Sequence, residues 1–99
     1  MQIDKQELAQ QVDQARWEWL VPHQKRDALI WVDAMLELAE VGERLAVDDA
    51  VTVQTWLASH MIAKPRLEQL EEWNQQPERL FNMLVVNPFV LIQEVAGQK

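Results

Sequence analysis

Three carboxylates, Asp33, Glu37 and Glu94, are the residues of this chain best placed to do chemistry. Asp33 closes the apolar run Ala28–Val32, and Glu37 follows one helical turn later. Glu94 falls late in the closing apolar segment, beside Gln93. If that segment pairs with Ala28–Val32, the three groups converge at one end of a sheet. Clustered carboxylates bind a hard divalent cation such as Mg²⁺ or Ca²⁺ through oxygen. They can equally raise one another's pKa and divide the acid and base roles of a small enzyme. The plainer reading is a cap, a solvated strand edge and a terminal ion pair, the usual work of charges at element ends.

The other reactive types offer less. His23 and His60 fall on different elements with no ligand spacing between them, whereas metal and acid–base roles need partners a few ångströms away. Ser59, Thr52 and Thr55 stand in no nucleophile-elbow motif. Gly42 and Gly97 are the only glycines, so no glycine-rich phosphate loop can form. Cysteine is absent, which removes disulfides, thiol nucleophiles and thiolate metal sites. No cofactor is expected.

Aromatic residues are the chain's compositional surplus: five tryptophans (Trp17, Trp19, Trp31, Trp56, Trp73) with Phe81 and Phe89. Most read as core, with Trp19, Trp56 and Trp73 on the faces that periodicity buries. Trp17 and Trp19 cannot share one helix face, because residues two apart diverge by about 200°. One of them must reach the surface, and exposed aromatics mark interfaces. Trp17 and Phe89 are the candidate interface residues.

Composition narrows the partners. The chain has 99 residues, 48% hydrophobic and 25% charged, the balance of an ordinary folded domain. Sixteen acidic residues against nine basic ones give a net charge of −7 and a pI near 4.7. Nucleic-acid binding calls for Lys and Arg to neutralise phosphates, so neither nucleic acid nor an anionic membrane is an expected partner. Nucleic acid would return only if Lys25, Arg26, Lys64 and Arg66 formed one patch. The start of the chain lacks the basic and apolar regions of a signal peptide, and no apolar run is long enough to span a bilayer. A cytoplasmic location is expected.

The elements that must position these residues follow from periodicity. Asp4 and Glu7 form a capping box before a helix carrying Leu8, Val12, Ala15 and Trp19 on one face. That helix is expected to end at Val21, since Pro22 pushes its predecessor out of helical geometry. Ala28–Val32 reads as a buried strand. A second helix follows with Leu38, Val41, Gly42 and Leu45 inward and a Glu40–Arg44 pair outside. Gly42 weakens that helix, which makes sense where another element packs closely. Asp48 and Asp49 open a third helix with Val53, Trp56 and Leu57 inward. Met61–Ala63 can be a tiny strand, and Pro65 opens a helix burying Leu67, Leu70 and Trp73. Leu80–Val86 and Phe89–Val95 flank Asn87-Pro88 and fit a hairpin, although a helix also fits the first run.

The pieces L-I-W-V-D (Leu29–Asp33), L-E-L-A-E-V-G (Leu36–Gly42), the Asp48–Asp49 pair, Trp56–Leu57 and V-V-N-P-F-V-L-I-Q-E (Val85–Glu94) carry a resemblance. From about Trp17 to Glu94 the chain resembles a family of short bacterial proteins known only as a domain of unknown function. The family pattern runs L-I-x-V-D, then L-D-L-V-x-V, then an acidic pair before a tryptophan-bearing helix. It closes with V-V-x-P-W-V-L-I-Q-E. Glu37 replaces Asp, Phe89 replaces Trp, and His60 stands where the pattern has Gly, at a turn. The resemblance implies a bacterial, cytoplasmic protein and no activity.

The expectation is one domain, 1–99, of α+β class, with about four helices on a small sheet; an all-α bundle is the alternative. Its function is unknown from sequence. A non-enzymatic protein-interaction module that self-associates fits best, and a carboxylate-dependent enzyme or divalent-metal binder is the alternative. A protein partner or a second copy is the expected partner.

Overall fold

Strand residues alternate between two sides and helical residues recur every third or fourth position; here the two patterns assemble a sheet with helices on both faces. The computed structural model of the protein describes residues 5–95. In chain order the elements are α1 (Lys5–Gln11), β1 (Asp13–Arg16), α2 (Trp17–Lys25), β2 (Leu29–Val32), α3 (Leu38–Ala46), α4 (Ala50–Ala58), β3 (Ile62–Ala63), α5 (Leu67–Asn74), β4 (Leu80–Val86) and β5 (Phe89–Glu94). The strand order is β1-β4-β5-β2-β3. β5 runs parallel to β2 and antiparallel to β4, while β1 and β3 add antiparallel edges. The expected α+β class holds and the all-α alternative does not.

The closing segment is the centre of the sheet. β4 and β5 form a hairpin turned at the cis Asn87–Pro88 peptide, with Val86 opposite Phe89. Val90, Leu91 and Ile92 are all buried, because helices cover both sides of this strand. Val32, Leu84 and Leu91 face one core with Leu8 of α1, Leu38 and Val41 of α3, and the half-buried Val53 and Trp56 of α4. Leu29, Phe81, Val90 and Ile92 face the other, with Trp17 and Leu20 of α2 and Trp73 of α5. In that second core the rings of Trp17, Trp73 and Phe81 lie with centroids 4.9–5.9 Å apart, tilted or edge-on.

The single helix expected over Leu8–Trp19 is instead α1, β1 and the start of α2. The chain crosses from one face of the sheet to the other along this edge: Leu8 packs in the first core, Ala15 and Trp17 in the second. β1 supplies backbone partners to the outer edge of β4, from Asp13 opposite Met83 to Arg16 opposite Leu80. No helix could do this, since its N–H and C=O groups are consumed internally. The start of α2 is tied down instead by the Trp17 and Glu18 N–H groups, which donate to Arg79 O (2.8 Å) and Pro77 O (3.0 Å). α2 then runs through Pro22 to Lys25 rather than ending at Val21. Pro22 forfeits one backbone bond, and the burial of Trp17 and Leu20 outweighs it. The capping role expected of Asp4 lies outside the described residues.

α3 packs on β4 through Gly42. A methyl group at this position would stand 2.7 Å from Leu84 Cδ2 and 3.3 Å from Val86 Cγ2. Close packing is therefore the reason for a glycine in mid-helix. Three helices end in the same way. The residues after their C-caps, Asp27, Asp48 and His60, sit in the left-handed region at φ 61°, 56° and 61°. In each case two backbone bonds close the end, as with Met61 N–H to Trp56 O (2.8 Å) and His60 N–H to Leu57 O (3.2 Å).

Candidate functional site

The three carboxylates each have a separate partner. Asp33 Oδ1 accepts the Met35 N–H at 2.8 Å, a turn formed by its own loop. Glu37 Oε1 pairs with Lys5 Nζ at 3.0 Å across to α1, and this hydrogen bond raises the Lys5 ammonium above its ordinary pKa. Glu94 Oε1 takes Arg79 Nη2 at 2.6 Å beside the start of β4. β5 does lie next to β2, as convergence required. Yet it is the Gln93 amide that reaches the loop after β2, donating to Asp33 O (2.9 Å) and Leu36 O (2.7 Å). Gln93 thus locks that loop to the central strand. Among the described residues no group of three His, Asp or Glu side chains could hold a metal ion.

The aromatic candidates part company. Trp17 is 1% exposed, and its indole N–H donates to Asn74 Oδ1 at 2.8 Å. It is a core residue, unavailable to a partner. Trp19, expected inside, is 58% exposed and lies under the Arg16 guanidinium at 5.5 Å from the ring centre. The exchange follows from where α2 begins: Trp17 is its first residue, so Trp17 and Leu20, one turn apart, face the sheet. Phe89 stays partly exposed at the end of the hairpin.

The apolar surface that the spacing missed is on α4. No residue of this helix is fully buried and none is charged. Val53 and Trp56 pack inward. Val47, just before the helix, and Ala50, Val51, Gln54, Leu57 and Ala58 are exposed, with Val51 at 79% and Leu57 at 42%. Positions 50, 51, 54 and 58 recur at helical spacing, so they form one outward stripe of α4. The signal was present in the sequence as a charge-free stretch. Spacing alone gives the stretch a single inward face and places Leu57 on it.

The start of α4 is fixed electrostatically. Asp49 accepts the Thr52 hydroxyl (2.8 Å) and N–H (3.2 Å) and pairs with Arg44 (3.2 Å). The Thr52 bonds, with the Arg44 guanidinium, hold the Asp49 carboxyl below its ordinary pKa, and Asp49 in turn raises Arg44. Arg44 pairs with Glu43 and Asp49, in place of the expected Glu40. The Lys64–Asp27 ion pair brings the loop after β3 against the end of α2, where Lys25 and Arg26 lie.

A mixed five-stranded sheet with helices on both faces defines a small α+β domain. The chain belongs to the family described as protein of unknown function (DUF2288), whose family model matches residues 4–94. It is similar to the NMR solution structure of PA1075 from Pseudomonas aeruginosa. That likeness has 34% identity and a TM-score of 0.80 over 93% of this chain and 84% of the other. No curated protein matches the chain. No helix among the described residues is long and apolar enough to cross a membrane.

Proposed function

We propose that this protein is a non-enzymatic interaction module that pairs with a second copy of itself through the outer stripe of α4. The observation that carries the reading is a surface helix with no charge on its outer face and Val51 at 79% exposure. Helices that face only water normally carry charged residues there. With a net charge of −7, two copies repel one another over most orientations. A neutral stripe is where they can approach. The stripe is also self-complementary, with Ala50 and Val51 on one side of Gln54 and Leu57 and Ala58 on the other. An antiparallel two-fold pairing sets Gln54 against Gln54 and apolar against apolar, as an isologous contact requires.

One nine-residue helix offers less than the roughly 800 Å² per partner of a stable interface. The dimer is therefore weak, with Kd of about 10 µM to 1 mM. Phe89 is a secondary candidate contact at the hairpin end. A cytoplasmic setting fits a cysteine-free chain.

Sedimentation equilibrium between about 10 µM and 1 mM tests the reading. The expected result is a rising average mass that Val51→Asp returns to the monomer value of 11.6 kDa with unchanged thermal stability. Phe89→Ser should leave association intact. A monomer throughout that range removes the self-association reading. Loss of association in Phe89→Ser alone would move the interface to the hairpin.

A further inference from the structure

A cavity of about 490 Å³ opens where β2 and β3 meet the start of α5. It is lined by Trp31, His60, Ala63, Lys64, Arg66 and Gln69. Its volume falls within the range of small-molecule sites, roughly 300–1,000 Å³. Its charge runs against that of the molecule. The chain carries sixteen acidic residues and nine basic ones, yet this lining holds a lysine, an arginine and a histidine and no carboxylate.

The donors are only partly committed. The Lys64 ammonium is engaged by Asp27. Gln69 accepts the Arg66 backbone N–H through Oε1 at 2.9 Å, which leaves its –NH₂ group to donate elsewhere. The Arg66 guanidinium forms no ion pair among the described residues, and its fork of N–H groups matches the two oxygens of a carboxylate or phosphate. The Trp31 indole and Ala63 supply an apolar wall. The Trp31 Nε1–H is itself buried without a partner, where buried indole N–H groups normally have one.

We propose that this cavity binds a small organic anion, its carboxylate or phosphate held by Arg66 and Gln69 and its flat apolar body against Trp31. The volume favours an organic anion over a bare ion, since a lone phosphate would leave most of 490 Å³ unfilled. The site is separate from the α4 stripe and does not depend on self-association.

The test is titration of ¹⁵N-labelled protein by two-dimensional NMR with phenyl phosphate, benzoate, inorganic phosphate and benzyl alcohol. The expected result is a saturable shift of the Trp31 indole signal and of the amides from Ala63 to Gln69 with one of the aryl anions. The midpoint should lie below about 1 mM, and the tighter of the two identifies the headgroup. Benzyl alcohol should bind at least ~10-fold more weakly. Arg66→Ala and Arg66→Lys should each weaken the aryl anion ~10-fold, while Arg26→Ala changes it less than about 2-fold. Three outcomes overturn the proposal: no saturable shift with either aryl anion at about 10 mM, equal binding of benzyl alcohol, or inorganic phosphate binding as tightly as phenyl phosphate.

Discussion

His60 closes α4 at φ 61°, a conformation in which Cβ crowds the backbone of any residue but glycine. Asp27 and Asp48 occupy the matching places after α2 and α3, and short polar side chains tolerate the strain better than His does. Glycine is the residue this geometry favours at position 60. His60→Gly should therefore stabilise the protein by about 0.5–1 kcal/mol in thermal unfolding, and His60→Ala should give no such gain. A loss with His60→Gly would show that the imidazole contributes more than the backbone strain removes. Asp49 acts through its charge. Its folded pKa lies below its ordinary value, so the unfolded chain binds this proton more tightly than the folded one. The stabilisation is complete above the ordinary carboxylate range and is lost as pH falls through the folded value. Asp49→Asn keeps a capping oxygen without the titration. Its unfolding midpoint should fall less steeply than the wild type's below about pH 4, and parallel acid profiles would contradict that assignment.

Among the elements, α3 shows how a local weakness serves a tertiary contact. Gly42 costs helix propensity, and an alanine there would contribute up to about 1 kcal/mol in an isolated helix. In the folded protein its methyl meets Leu84 Cδ2 at 2.7 Å, and Leu84 is fully buried at 0% exposure. Overpacking a filled core costs about 1–3 kcal/mol, so Gly42→Ala should lower stability in chemical denaturation, and Gly42→Val should lower it further. A more stable Gly42→Ala would mean that Leu84 yields freely. This packing was legible in the sequence, because a glycine amid an apolar helical stripe asks for a close neighbour. β1 was not legible. D-Q-A-R carries no strand signal, and its pairing answers the exposed edge of β4, more than sixty residues away in sequence.

At the scale of the whole molecule, charge sets how copies meet. A net charge of −7 repels like copies, and salt screens that repulsion over a Debye length of about 8–10 Å. The weak dimer proposed through α4 should thus tighten as salt rises from about 50 mM to 500 mM, in the same sedimentation experiment that tests Val51→Asp. Weakening with salt would point to a seam held by ion pairs instead. The anion cavity should respond in the opposite sense, because salt screens its attraction for the ligand.

The sequence by itself pointed to the α+β class over an all-α bundle, to a strand over Ala28–Val32, to the inward face of α3 and to the tight approach at Gly42, and it left the first closing run open between a hairpin strand and a helix. Each rests on a short-range pattern of polarity or backbone chemistry that neighbouring residues carry together. Tertiary structure alone decided the rest. It buried Trp17 and exposed Trp19, because the edge strand resets where α2 begins. It gave Glu37 to Lys5 and Glu94 to Arg79, because the partners arrive from distant elements. It also gathered Trp31, His60, Lys64 and Arg66 around one cavity, because β2, β3 and the start of α5 become neighbours only when the sheet closes.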